Sequence, residues 1–512
     1  MKEIISINPA TLEEVGRVAA VSEQKVKEYA SKARAAHPAW ARLPIKRRAA
    51  CILEAREYLL AHIDDLAQTI TKDNGKPLAE AISAEILPVC DLLWWAAHNA
   101  EGILRGRSLG VGIFNLMLRR SVVNHVPLGV VGIISPWNYP FSIPAGAVAM
   151  ALVAGNCVLL KPSSATPIVG RKIQEMFDAT GLPEHVFTHV PGDAETGEAL
   201  LSSRLDKVFF TGSVEVGRHV AEVCAQRLVP SILELGGKDP AIIRHDADIE
   251  HAASGCVWGA FTNAGQCCAS IERVYVHKSI AEKFTALVAE KTRRLKIGNG
   301  LDPKTDVGPM TTLKQLQVVE AQVEEARRKG AKILTGGKVI EPGYFYEPTV
   351  ITDVDHTFAC VNEETFGPLM PIMTFDDDRQ AIQLANYSDY GLNAYIWSRN
   401  TRAARKMALE LQAGTVVIND CVYTHAIPQT PWGGVKHSGL GRTHSAWGFY
   451  ELTNLHHTHV NPITFIKDFW WYPYGEKLTA LLKSLSRSLT GCWCSKIKAI
   501  PALLRALLQR KM

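Results

Sequence analysis

Val130-Val-Gly-Ile-Ile-Ser-Pro-Trp-Asn-Tyr-Pro140 lies in a run, from Arg120 to Lys161, that contains no intervening Asp, Glu, Lys or Arg. The run is apolar enough to resemble a membrane span, but Pro127, Pro136, Pro140, Pro144 and several glycines interrupt it. A spanning helix tolerates such breaks only where neighbouring protein satisfies the freed backbone groups. Val130–Ile134 has instead the length and β-branched content of a buried strand, and the run closes on another, Cys157–Lys161. Strand, loop and helix buried inside a packed domain is the expected structure.

Working outward, 186–190 and 207–210 are further short apolar runs, separated by helical patterns at 166–180 and 195–203. Strands alternating with helices imply βαβ units and a parallel sheet. Upstream, 22–105 reads as helices, with apolar positions three and four apart in 47–62. Downstream, a second series has a strand at 274–277, helices at 279–295 and 315–329, and a strand at 416–419. Two α/β units are predicted in the first 440 residues. Segments 106–124 and 450–461 read as polar-alternating strands outside both series.

The 512 residues are 47% hydrophobic and 21% charged, without low-complexity tracts, so a packed core is expected and wholesale disorder is not. The net charge is +5, yet from Lys467 onward there are nine Lys or Arg against two Asp or Glu. The preceding body is nearly neutral, which gives no case for nucleic-acid binding. Eleven scattered cysteines without paired CxxC sets suggest neither a zinc site nor a disulfide framework, so no metal is expected. The N-terminus lacks the apolar core of a signal peptide. A reducing, cytoplasmic compartment is the expectation.

Four features carry chemistry. Phe261-Thr-Asn-Ala-Gly-Gln-Cys-Cys-Ala-Ser270 reads as a thiol pair entering a helical stretch, where backbone N–H groups lower a thiol pKa; two core cysteines would read the same way. Leu233-Glu-Leu-Gly-Gly-Lys-Asp239 sets a carboxylate between leucines, a candidate desolvated base or else a solvated loop residue. Asn138, between Pro136 and Pro140, can aim its amide at a developing oxyanion or merely form a turn. Phe209-Phe-Thr-Gly-Ser-Val-Glu-Val-Gly217 runs from strand through Gly-Ser into helix, a sparse form of a phosphate-binding turn.

In order and spacing these motifs resemble the aldehyde dehydrogenase superfamily, from about Asn8 to Asn461. Glu234 and Cys268 stand thirty-four residues apart, followed by Glu363-Glu-Thr-Phe-Gly-Pro368 and Pro431-Trp-Gly-Gly-Val-Lys-His-Ser-Gly439. The resemblance implies NAD(P)-dependent oxidation of an aldehyde to the acid. Cys268, not Cys267, would form a thiohemiacetal and then a thioester. Asn138 and the Cys268 backbone N–H would hold the oxyanion, and Glu234 would activate water. It places Trp137, Lys161, Ser164, Gly212, Ser213, Gly217, Glu364 and Phe366 at the cofactor. NAD-preferring relatives often carry glutamate where Ser164 stands, so NADP is admitted beside NAD.

The resemblance further implies a Rossmann-like cofactor domain (1–105 and 125–236) and an α/β catalytic domain (237–449). An oligomerisation arm (106–124 and 450–461) would make a homodimer or homotetramer. Tyr139, Ser142, Ile143, Gly146 and Trp432 would line the substrate tunnel. With Ser142 and Gly146 small and no Arg or Lys evident, an apolar medium- or long-chain aldehyde is favoured over a semialdehyde such as succinate semialdehyde.

Most relatives end near 461, whereas residues 462–512 continue as a basic, helical extension, as in members that associate with membranes and act on long-chain aldehydes. Phe469-Trp-Trp-Tyr-Pro-Tyr474 precedes Leu478, Leu481, Leu482, Leu485 and Leu489, interleaved with Lys477, Lys483 and Arg487. A second segment runs from Lys496 to Lys511, and Cys492 and Cys494 are candidates for acylation in a eukaryotic host. Without an 18-residue uncharged run, 467–512 is expected to lie on a cytoplasmic membrane face, or else to pack on protein.

Overall fold

The computed structural model describes residues 2–112, 118–465, 467–468, 470–489 and Pro501. The chain forms two compact units, one of Met1–Leu104 with Val126–Asn454 and one of Arg105–His125 with the residues from Leu455 onward.

The first unit holds two sheets. In one, β1 (Val130–Ile134), β2 (Cys157–Lys161), β3 (Lys207–Thr211) and β4 (Ser231–Glu234) run parallel, in the order Gly439–Leu440, β4, β3, β1, β2, Phe187–His189. Buried on both faces, β1 and β2 read as apolar runs rather than alternating ones. From β1 the chain adds β2 and Phe187–His189 on one side, then β3 and β4 on the other. The carboxyl ends of β1 and β3 therefore flank the reversal of strand order, where open parallel sheets leave a ligand crevice.

Helix α1 (Ser142–Ala154) joins β1 to β2 and is buried all round except at Ile143 and Ala147. The charge-free run is thus strand and core helix, as expected. Helix α2 (Val214–Gln226) follows β3 and is capped by Ser213, whose side chain accepts from the Val216 N–H. Around this sheet pack the N-terminal helices Glu23–Arg42, Ile45–Ala61, Ile63–Asn74 and Leu87–Leu104. Gly75 ends the third of them at φ 104°, where a Cβ would lie 2.7 Å from Pro309 Cγ. A π-helical turn, Ala81–Ile86, precedes the fourth.

The other sheet has seven strands around a separate apolar core. Helix α3 (Ile249–Phe261) connects its strand Asp239–Ile243 to β5 (Ile271–His277), which pairs parallel with it. An α/β architecture with Rossmann-like parallel sheets is what the sequence predicted.

Most residues of a three-stranded sheet ordered Thr453–Val460, Arg120–Pro127, Arg107–Leu109 belong to the second unit. Arg119 is buried there, paired with Asp468 and 5.3 Å from the Trp470 ring centre. Helix Glu476–Leu489 follows, with Lys477, Leu482 and Lys483 exposed and Leu478 and Leu481 half-buried. No described helix is long and apolar enough to cross a membrane. Phe469, Cys492, Cys494, the 496–511 segment apart from Pro501, and the side chains of Leu485, Arg487 and Leu489 lie outside the described residues.

Candidate active site

A cavity of about 320 Å³ opens within the first unit, and Glu234, Cys267 and Cys268 stand on its wall. Each is delivered by a chain end. Glu234 is the last residue of β4, held in register against Gly439. Its carboxyl is 6% exposed and neither oxygen accepts a hydrogen bond of normal geometry among the described residues. Burial therefore pushes its pKa up to about 8; the Arg442 charge and, more weakly, the Trp432 side chain oppose this. Such a carboxyl exchanges protons with water near neutral pH.

The thiols do not begin a helix, contrary to the sequence expectation. Helix α3 ends at Phe261, and Asn263, Ala264 and Gly265 take φ of 51°, 53° and 72° before the chain enters β5. Gly265 is required sterically, since a Cβ would lie 2.2 Å from the Gly367 carbonyl oxygen. Side chains fix this turn. Thr262 Oγ1 and the Asn263 N–H donate to Glu80, and the Thr311 N–H donates to Gln266 Oε1. Cys267 is buried and Cys268 partly open. Contacts from the Cys268 S–H and the Tyr139 hydroxyl favour a thiolate on Cys267, and the same sulfur contact, with burial, pushes Cys268 up. Proton transfer between the adjacent sulfurs can pass the thiolate to the more open one.

Asn138 is buried behind the cavity wall, and its Nδ2 donates to the Gln266 carbonyl at 3.1 Å. An amide NH₂ has two donors, so one is unused among the described residues. The backbone N–H of Cys268 donates no hydrogen bond among the described residues, leaving it available to a bound oxygen. Tyr139, Ser142, Ile143, Gly146 and Trp432 all line the cavity, the middle three from α1.

Three of the lining residues that escaped the sequence reading bear on the chemistry. Arg442 supplies a cation where none was expected, its Nη1 donating to the Gly434 and Gly441 carbonyls. His425 and His444 meet edge to face at 4.5 Å. Burial holds His425 down to about 4 and His444 well below its usual range, so both rings are neutral at pH 7.

The other expected residues cluster at the carboxyl ends of the first sheet. Lys161 ends β2, 8% exposed and without an ion pair among the described residues, and burial lowers its pKa to about 8. A nearly buried ammonium without a partner calls for acceptors, and sugar hydroxyls supply them. Ser164 is half-buried three residues on. Ser213 is exposed at the N-terminus of α2, a 13-residue helix whose free N–H groups suit a phosphate. Gly212 and Gly217 are close-packed, since a Cβ would lie 2.6 Å from the Phe210 ring and 2.4 Å from Leu235 respectively. Trp137 and Phe366 are half-buried, edge to face at 5.4 Å. Glu364 accepts from the Gly237 N–H, and burial raises it to about 8. An orphan ammonium, a helix N-terminus and flanking aromatics fit a dinucleotide.

The aldehyde dehydrogenase family model matches residues 1–458. The 4,4'-diapolycopene aldehyde oxidase of a Methylomonas species is 38% identical, over 93% of this chain and 89% of its own. A probable NADP(+) succinate-semialdehyde dehydrogenase of Sinorhizobium fredii is 36% identical, over 88% and 91%. Among solved structures, the NAD+ complex of aldehyde dehydrogenase from Bacillus cereus superposes with a TM-score of 0.87 at 33% identity, covering 90% of this chain and 94% of that one.

Proposed function

Because the chain belongs to the aldehyde dehydrogenase family, we propose that this NAD(P)-dependent enzyme oxidises an apolar, medium- or long-chain aldehyde. The observation that carries this reading is the cavity, in which a thiol pair and a desolvated carboxyl stand among mostly apolar walls such as Ile143, Met150, Ile232 and Trp258. The rim supports it. Ser83, Pro88 and Ala426 also border a surface cleft bearing the exposed Leu87 and Trp94, which gives a long chain apolar surface to follow outward. The aldehyde named for the Methylomonas relative is consistent with this.

Cys268, as thiolate, attacks the aldehyde carbon, and the resulting oxyanion takes the second N–H of Asn138 and the Cys268 backbone N–H. When bound, the nicotinamide group supplies the two-electron acceptor that turns thiohemiacetal into thioester. Glu234 takes a proton from water, the hydroxide adds to the thioester, and the acid leaves as the thiolate is restored. Lys161, Ser164, Gly212, Ser213 and Gly217 would hold the adenosine and phosphate end. Trp137, Glu364 and Phe366 would hold the nicotinamide end. Serine at 164 presents no charge against a 2′-phosphate, so both NAD and NADP are used.

Arg442 favours a second reading, since a cation on the cavity wall suits the carboxylate of a semialdehyde, as in the compound named for the Sinorhizobium relative. Steady-state oxidation of decanal against succinate semialdehyde, each with NAD+ and NADP+, decides. A higher kcat/KM for decanal is expected, and preference for the semialdehyde would overturn the apolar assignment.

We further propose a homo-oligomer built through 106–124 and 450–461. In support, Thr453–Val460 is an edge strand whose side chains beyond Thr453 are exposed, a ready template for pairing with a second copy. The exposed lysines and leucine of Glu476–Leu489 support peripheral membrane contact through 467–512.

A further inference from the structure

We propose that Lys76 is a positioning residue of the active site. Paired with Glu85, its buried side chain holds the Asn138 carbonyl and the Tyr139 ring in the one arrangement that serves both oxyanion and thiol pair. The inference rests on the roles just given to Asn138 and Cys268.

Lys76 and Glu85 have wholly buried side chains, with Nζ 2.7 Å from Oε1. An ammonium has three donors. One goes to Glu85, one to the Asn138 carbonyl at 2.8 Å, and Nζ stands 4.0 Å from the Tyr139 ring centre, within cation–π range. Glu85 uses its other oxygen on the Phe141 and Ser142 N–H groups, each at 2.9 Å, where α1 begins. The pair thus grips residues 138 to 142 at both ends.

The preceding residues grip the facing loop. Asn74 Nδ2 donates to the Trp137 carbonyl and to Thr311 Oγ1, and the Thr311 N–H holds Gln266. Asn263 Nδ2 bridges the Asn138 and Gln266 carbonyls. A shift of the Asn138 carbonyl would therefore move the amide and the cysteine turn together. Gly75 leaves no room for drift, packed against Pro9 and Pro309 with Gly300 and Gly308 closing on its carbonyl.

Charge adds a second effect. Tyr139, Lys76, Glu80, Asp239, Glu234 and Glu364 all act on the thiol pair or on one another through space. Lys76 is the cation that favours the thiolate at Cys267. The Tyr139 hydroxyl acts on Cys267 in the same direction, whereas the Asp239 and Glu234 charges disfavour a thiolate on Cys268.

Removing Lys76 alone would strand Glu85, so the test uses Lys76→Met/Glu85→Gln, which removes both charges while the introduced amide oxygen can still accept from the start of α1. The full chain is assayed for folding by circular dichroism, for cofactor Kd, for kcat and KM, and for iodoacetamide inactivation against pH. Expected are unchanged folding and cofactor Kd, and KM within about threefold. Expected too are a kcat lowered about a hundredfold and an inactivation profile moved up by about one pH unit. A folded variant with wild-type kcat and profile overturns the inference, as does one that has lost its fold and cofactor binding along with activity. Cys268→Ser serves as control: if it keeps activity, the reading of the site has failed instead.

Discussion

Glu234 illustrates how burying one carboxyl makes stability depend on pH. Its pKa in the fold is raised from 4.5 to about 8, so the native state holds a proton that the unfolded chain releases. Stability is accordingly greatest near and below pH 4.5 for this group and falls as pH rises through about 8. Glu234→Gln should melt at the wild-type temperature at pH 5 and above it at pH 9, measured by differential scanning fluorimetry. Activity should move the other way. Wild-type kcat is expected to climb towards pH 8 and level off, whereas the Gln variant should release one equivalent of NADH and then stall as the thioester, visible by intact-protein mass spectrometry. An unchanged kcat–pH profile in Glu234→Gln would remove Glu234 as the base. His425, which faces the same cavity, was not legible in the sequence. Thr-His-Ala looks like any loop, and the Val422 backbone at φ 67° and the ring contacts with Trp432 and His444 emerge in the fold alone.

At the scale of elements, the sequence was readable wherever burial leaves a simple pattern. β1 and β2 are buried on both faces and stand out as unbroken apolar runs, and α1 is so enclosed that it reads as charge-free. The strands Leu369–Phe375 and Asn393–Trp397 were missed, because Pro371 interrupts one and Asn393-Ala-Tyr-Ile-Trp397 is too short and mixed to signal a period. The thiols were found but mis-set, since two non-glycine residues at positive φ ending α3 leave no trace in composition. Arg442 was overlooked although it follows the tunnel residue Trp432 closely, because the bridge between Trp432 and Thr443 that brings it back to the cavity leaves no pattern in the sequence. The cofactor turn allows a test at this scale. Ser164 lies three residues beyond the buried Lys161, so Ser164→Glu should lower kcat/KM for NADP+ more than about tenfold and spare NAD+. Equal losses with both cofactors would contradict the assignment. On α1, Gly146 faces the cavity, and a Cβ placed there would meet only side-chain carbons of Leu92, at 3.3 Å and beyond. Gly146→Phe should cost about tenfold in kcat/KM for decanal and less for propanal, and equal loss would place the long chain elsewhere.

For the whole molecule, the question is where the chain beyond the family match at 458 acts. Truncation must respect the second unit. Arg119 is 9% exposed, pairs with Asp468 and lies near Trp470, so cutting at 467 would strand a buried guanidinium. Such a loss destabilises by about 3–5 kcal/mol and would confuse any localisation result. Ending the chain at Gly475 keeps that anchor and removes the helix with its exposed Lys477 and Lys483. Basic side chains near an anionic leaflet contribute about 1 kcal/mol each, so a surface helix held this way should detach with salt. The full chain is expected to sediment with vesicles containing 30% phosphatidylserine (roughly a physiological inner leaflet) at low salt and to release at high salt. The chain ending at Gly475 should stay in the supernatant with its kcat for hexanal intact. Equal partition of the two forms would assign the extension to protein packing, and loss of activity on truncation would point the same way.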